Sequence, residues 1–496
     1  MPLFSLRSEL DGGIGDFETL GTFVEWAGRV GQRLVALLPL GELCPGETSP
    51  YNALSSFALD PIHLRVSAIE ELRDEKLGRG DDAAVVDHVR VHAWKEPLFQ
   101  RAFERFRSLA DAHPRRARFA EFRRRAEPWL ADYALFRALS EAEAGRSWKH
   151  WPEEIATREP QALAEARGRL AARISFFEYL QFLADDAWSA VRRRAEAHGV
   201  VLMGDLPFAP SENSADVWAH PEVFDLSRSV GAPPDEFSET GQQWGLPMYR
   251  WEAMRKGNWR WLRARARRMA ELYDLFRVDH VVGLFRTFNF VGAEPNGFEP
   301  SEEPEQIAQG REILCILREE AHPAKVVGED LGMIPEFVIE TLSALEIPGY
   351  KVLCWQREAE RFIDPDEYPE CSVATTGTHD TDSLIEWWDE LSDTERSELG
   401  ALAKMPRETS RPLARELRLA LLDRLYHAPS RYVILPIQDL FGWRARINTP
   451  ATTSENNWVF RLPLPIERFA SDREVAADTA ALAASIDASG RLRRIV

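Results

Sequence analysis

Three short acidic motifs constrain this chain more than any other feature: RVDH at Arg277 to His280, GED at Gly328 to Asp330 and GTHD at Gly377 to Asp380. Each follows an apolar, β-prone run (DLFRV, AKVVG, CSVATT), so Asp279, Glu329 and Asp380 are expected to emerge at strand C-termini about 50 residues apart. One strand plus one or two helices fills that interval. In a parallel (β/α)8 barrel the C-terminal strand ends meet at one mouth, the face on which such barrels build active sites. Three carboxylates converging there point to sugar chemistry.

A pass along the chain finds candidate strands for such a barrel at residues 2–6, 33–40, 200–208, 274–282, 324–331, 350–355, 371–377 and 431–437. Most are continuous apolar runs, the pattern of strands buried on both faces. Amphipathic stretches such as DFETLGTFVEWAGRVG and RWLRARARRMAELYD separate several of them, giving the alternation of a βαβ fold. The reading that follows places the first barrel strands and helix in residues 1–41. An inserted subdomain over 42–198 opens as an irregular Pro/Gly/Ser segment and continues as Arg-, Glu- and Ala-rich helices. The remainder of the catalytic barrel occupies 199–465, with an irregular, cleft-covering insertion at about 209–250, and a C-terminal helix in 466–496 packs on the barrel. Charge runs in the helical insertion are expected to be solvated faces.

Composition narrows the partners. With 61 basic against 80 acidic side chains, the net charge of −19 would repel a nucleic-acid backbone or an anionic membrane surface, so a neutral sugar or polymer fits better. Four cysteines (Cys44, Cys315, Cys354, Cys371) are widely spaced in no metal-ligand pattern and read as reduced thiols. Neither a charged leader with a long apolar stretch nor an apolar run approaching 18 residues occurs, so a cytoplasmic protein is expected. The sequence leaves the oligomeric state open.

Retaining glycoside chemistry uses two carboxyl groups about 5–5.5 Å apart, one as nucleophile and one as acid/base. Asp279 and Glu329 are the natural pair. Arg277 lies two residues before Asp279 on the same expected strand, so the period-2 alternation points both side chains one way, and a guanidinium there keeps the nucleophile ionised. Glu329 must carry a proton for the leaving oxygen, which calls for an apolar or anionic setting. Asp380, with His379 beside it, can hydrogen-bond sugar hydroxyls. Singly, each motif has a plainer reading: a structural Arg–Asp pair, a helix cap at GED, a core histidine at 379. In order and at barrel spacing, they outweigh those readings together.

The chain also resembles the 4-α-glucanotransferases called amylomaltases or disproportionating enzymes, glycoside hydrolase family 77. The likeness runs from about Gly13 to Leu462 and rests on GIGDF (13–17), SPYNALSSFALDP (49–61), GDLPF (204–208), GQQWGLPMY (241–249), LFRVDHVVGLFR (275–286), VVGEDLGMIP (326–335), TTGTHDTDS (375–383) and RINTPATTSENNWVFRL (446–462), among others. The resemblance implies Asp279 as nucleophile, Glu329 as acid/base and Asp380 as transition-state stabiliser. It implies Arg277 and His379 as sugar-binding partners, Ser49 and Tyr51 as lining of the same subsite, and Asp205 as an electrostatic support. Trp244 falls on a loop that arches over the cleft, and Asn448 and Pro450 on a segment near the acceptor side. There are departures: the opening is shortened to PLFSLRSELDG, Gly46 stands at an aromatic position, TFNFVGAEPNGFEPSEEPE follows the nucleophile strand, and Thr381 replaces an asparagine. None removes a catalytic group. Among the sixteen tryptophans, Trp129, Trp188 and Trp387 are expected to pack in helices, whereas Trp244 is expected to meet substrate.

The expected activity is transfer of α-1,4-glucan segments between maltodextrins by double displacement, with a maltodextrin donor, a sugar acceptor, no cofactor and no metal. Its rivals are an α-glucan hydrolase of the same superfamily and a catalytically silent glycan-binding protein.

Overall fold

The computed structural model describes residues 1–491 apart from 45, 78–79, 81–82, 235–240, 360, 406–408, 451 and 453. Its strands in chain order are β1 Leu34–Ala36, β2 Val201–Leu206, β3 Phe224–Ala232, β4 Gln242–Tyr249, β5 Leu275–Val278, β6 Thr287–Val291, β7 Glu294–Glu299, β8 Lys325–Gly328, β9 Gly349–Val352, β10 Arg357–Glu358, β11 Arg361–Phe362, β12 Ser372–Thr375 and β13 Tyr432–Val433. β1, β2, β5 and β8 pair in that order as a parallel sheet, and β13, β12 and β9 form a second one. A hydrogen bond from Gly328 N to Pro348 O (2.9 Å) joins β8 to the entry of β9.

Side chains from all seven parallel strands meet in one interior cluster. Met203, Leu275, Val327, Tyr350, Val352 and Val373 are buried there, with Leu34, Ala36, Val201, Tyr432 and Ile434 packed against them. A cylinder filled by inward-pointing residues of successive parallel strands is the core of a (β/α)8 barrel. Helices cover the outside. Phe17–Arg29 is representative: Asp16 caps it by accepting from Thr19 N (2.7 Å), and Phe17, Leu20, Val24 and Ala27 line the buried stripe.

The segment 2–6, expected as a strand, is instead a 3-10 turn at Leu3–Ser5. Only Met1 lies beside β1, accepting from Leu38 N at 3.2 Å. Pro2 offers no amide hydrogen, so the ladder stops there, and the buried turn that follows presses Leu3 O against Gly15, where an added Cβ would lie 1.9 Å away.

Between β1 and β2 stand three long helices, His88–Ser108, Pro114–Ala142 and Ala171–Ala197. Phe103, Phe106, Phe119, Phe122, Phe176, Tyr179 and Phe182 pack between them. Some of their arginines are not solvated: Arg115 is buried, bonds Glu71 (2.6 Å) and covers the ring of Phe182 at 5.3 Å. Residues expected to be irregular between β2 and β5 contain a β-hairpin. β3 and β4 pair antiparallel, and β3 pairs on its other side with β6, which pairs with β7. Its glycines and prolines, and partners lying some 60 residues further along the chain, hide this sheet from a local reading. Near the C-terminus, Arg473–Ala488 is helical and Asp478 docks it by accepting from Arg415 and Arg418, both at 2.5 Å. The four cysteines are unpaired and half-buried.

Candidate active site

The site begins in the ladder. Register places Asp205 opposite Arg277, and Asp279 directly follows β5, its amide donating to Leu206 O at 3.0 Å. Arg277 is buried, and its guanidinium reaches both acids: Nε donates to Asp205 Oδ1 at 3.2 Å and Nη2 to Asp279 Oδ1. Tyr51 completes the chain, its hydroxyl donating to Asp205 Oδ2 at 2.8 Å. Burial opposes charge on Arg277, Asp205 and Tyr51 alike. The Arg277 guanidinium is nonetheless held charged by Asp205 and by the neighbouring acids, while Asp205 is raised to about 6 and the Tyr51 phenol keeps its proton.

Glu329 follows β8 as Asp279 follows β5. Its Oε2 accepts from His280 N at 2.7 Å, and its backbone carbonyl accepts from Val281 N at 3.2 Å. Part of its surface opens to the cleft, but the carboxyl is set into the barrel mouth. Burial raises its pKa to about 8, with the Asp279 charge adding to the rise and Arg277 and the His280 amide opposing it. The next residue, Asp330, works on the scaffold: its Oδ1 accepts from Tyr350 N at 2.5 Å, and Gly349 is required there because a Cβ would meet Oδ2 at 2.1 Å.

The third acid stands on the turn after β12. Asn448 Nδ2 donates to Asp380 Oδ1 at 2.6 Å, and His379 Nε2 lies 3.3 Å from Oδ2. Burial lowers His379 to about 4, so its imidazole is neutral near pH 7. That ring stacks on Tyr51 (5.2 Å between centroids, 22° between planes), and Trp458 leans on both. Tyr51 therefore joins the two sides of the site, bonding Asp205 with its hydroxyl and supporting His379 with its face.

Of the residues singled out in the sequence, Asp205, Arg277, Asp279, Glu329, Tyr51, His379, Asp380 and Asn448 form one contiguous cluster. Trp244, on β4, reaches its edge by an edge-on contact with His280 (4.8 Å, 85°). Ser49 is half-buried near Tyr51, and its hydroxyl joins none of the hydrogen bonds linking the acids; Pro450 is exposed beyond Asn448. Trp188 is buried and donates to Leu272 O at 3.0 Å, whereas Trp129 and Trp387 are partly buried against the core. Sequence reasoning assigned nothing to three residues at the centre. Arg446 holds the Asp380 turn, donating to Asp380 O and to Asp382 Oδ1, each at 2.7 Å. Trp458 backs His379, and His280 bonds Glu329. All three lie in quoted motifs, His280 directly after Asp279 in RVDH and Arg446 and Trp458 within RINTPATTSENNWVFRL, but spacing gives none of them a role. Trp355, read as the end of a strand, stands 49% exposed past β9 on the mouth side.

The sequence model of the 4-alpha-glucanotransferase family, glycoside hydrolase family 77, matches residues 1–466. The chain belongs to this family. A 4-alpha-glucanotransferase of Thermus thermophilus is 35% identical over 455 residues, covering 89% of each chain. One from Chlamydia pneumoniae is 32% identical over 490 residues, covering 95% of this chain and 92% of the relative. Among solved structures, an amylomaltase from Streptococcus agalactiae in complex with acarbose superimposes with a TM-score of 0.85 at 25% identity, covering 99% of this chain and 98% of that one. An amylomaltase from Corynebacterium glutamicum shares the fold, with a TM-score of 0.80 at 23% identity over 98% of this chain and 74% of the other. Among the described residues of this family member, no group of three or more His, Cys, Asp or Glu is arranged to hold a metal ion, and no helix is long and apolar enough to cross a membrane.

Proposed function

We propose that this member of family 77 transfers α-1,4-glucan segments from a maltodextrin donor to a sugar acceptor by retaining double displacement. Asp279 attacks the anomeric carbon as the glycosidic bond breaks, and Glu329 gives its proton to the departing oxygen. The product is a β-linked glycosyl ester on Asp279 and a shortened glucan that leaves. Glu329, now a carboxylate, takes the proton of an incoming hydroxyl while its oxygen forms a new α-linkage and the Asp279 ester breaks. Asp380, fixed by Asn448, and His379 bind hydroxyls of the sugar whose bond is cut. Ser49 and Tyr51 line that subsite, Asp205 supports Arg277, Trp244 offers a ring for stacking and for excluding water, and Pro450 borders the acceptor side. The carboxylates supply all the chemistry, so no cofactor is invoked, and cytoplasmic glucan metabolism is the setting that fits.

The observation that carries this reading is the opposed environment of two neighbouring acids. Asp279 touches a guanidinium that stays charged, whereas Glu329, its carboxyl buried beside it and accepting from the His280 amide, keeps its proton up to about pH 8. Incubating the protein with maltotriose tests the activity. Glucose together with oligosaccharides longer than the substrate is expected. Glucose and maltose alone would make it a hydrolase, and unchanged maltotriose and longer maltodextrins would return the weight to glycan binding.

A further inference from the structure

His280 has an unusual backbone for its type. Its φ of 48° and ψ of 54° lie in the left-handed region, where a non-glycine residue persists only when its surroundings enforce it. Two contacts enforce it here. The imidazole is wedged between the edge of Phe208 (5.5 Å, 89°) and the ring of Trp244 (4.8 Å, 85°). Room for the wedge comes from Gly283, whose absent Cβ would lie 2.6 Å from both His280 Cδ2 and the Phe208 ring. This conformation aims the His280 amide at Glu329 Oε2, 2.7 Å away. The ring is neutral near pH 7, since burial lowers it to about 4, so it acts by shape.

We propose that His280 is a positioning residue that couples the cleft-covering strand β4 to the acid/base: Trp244 holds the His280 ring, and the ring holds the backbone amide on Glu329. Contact between sugar and Trp244 would then be felt at the proton-transferring carboxyl. The proposal rests on Glu329 being the acid/base. Other charged or titratable groups facing that carboxyl are Arg277, Asp279, Asp330 and Tyr350, and all of them are retained in the variants that test the coupling.

The test is the pH dependence of kcat/KM on maltotriose. An amide hydrogen bond favours the carboxylate, so losing it moves the alkaline limb upward. His280→Ala, which removes the ring and disfavours the left-handed backbone, should move that limb up by roughly half to one pH unit. His280→Asn, which tolerates this backbone, should move it less. Trp244→Ala should move it in the same direction, and the double variant Trp244→Ala/His280→Ala no further than His280→Ala alone. A Trp244→Ala variant with raised KM and an unmoved limb would overturn the coupling. Should His280→Ala fail to fold, Trp244→Ala and His280→Asn carry the test. Glu329→Gln separates the two levels: if it is inactive while the limb stays put in Trp244→Ala, the coupling alone fails, and if it keeps wild-type activity the acid/base assignment fails.

Discussion

The barrel floor and the antiparallel arm above it are built on different principles. On the floor, Asp205 and Arg277 face each other in register across adjacent strands, and Asp279 and Glu329, the proposed nucleophile and acid/base, leave β5 and β8 one residue past the ladder. The arm is secured mainly by itself. β3 is paired on both sides, and Arg228 bonds Asp225 (2.9 Å) and Glu299 within the same sheet. Floor and arm meet at the arm's inner end, where Phe224, Val230, Met248 and Tyr249 are buried in the main core, the Tyr249 hydroxyl donates to Phe208 O (2.7 Å) and Trp244 rests on His280. The arrangement of charges is thereby fixed by the ladder, and the arm bears on it chiefly where Trp244 meets His280.

Substitutions on the floor should therefore cost reaction rate or fold, and those on the arm substrate affinity. The largest effect expected is that of Asp279→Asn: transfer from maltotriose should slow by about a thousandfold or more, because binding alone cannot replace a nucleophile. Arg277→Ala leaves Asp205 buried without its counter-charge and should lower stability in denaturant melts by about 3–5 kcal/mol, together with activity. Glu329→Gln behaves differently. Because burial raises Glu329 to about 8, the folded state holds a proton that the unfolded chain releases between the ordinary carboxylate range and pH 8. Wild-type stability should fall across that window and that of the variant should not, so Glu329→Gln should be inactive yet more stable at pH 8 by roughly 1–3 kcal/mol, with the gap closing toward pH 4. The same proton predicts that wild-type kcat/KM declines above about pH 8. On the arm, Trp244→Ala should raise KM about tenfold through lost stacking and change stability by only about 0.5 kcal/mol. A large stability loss in Trp244→Ala would show the arm to be part of the floor.

The legible parts of the sequence were those whose chemistry is local. RVDH, GED and GTHD announced the acids because each sits one to five residues past an apolar strand, and the period of a strand put Arg277 and Asp279 on one side. Asn448 was tied to the acceptor side by resemblance, yet its amide bonds Asp380; a loop contact across 68 residues leaves no mark in spacing. Residues 2–6 misled because a buried turn and a buried strand are equally apolar, and only the missing amide of Pro2 separates them. The arm escaped because its register depends on β6, whose sequence carries no complement to β3 that can be read by eye. His280 was visible as a letter in a motif, but its left-handed backbone is visible only in three dimensions.

The claim on which the account stands is that Asp279 forms the glycosyl ester. It is tested most directly by treating Glu329→Gln with α-maltotriosyl fluoride, whose leaving group needs little acid assistance, and mapping the trapped sugar by peptide mass analysis. The account predicts one maltotriosyl group on the peptide containing Asp279, linked as an ester and absent in the double variant Asp279→Asn/Glu329→Gln. A sugar found on Asp380 or Asp205, or fluoride released with inversion and no covalent adduct, would contradict it.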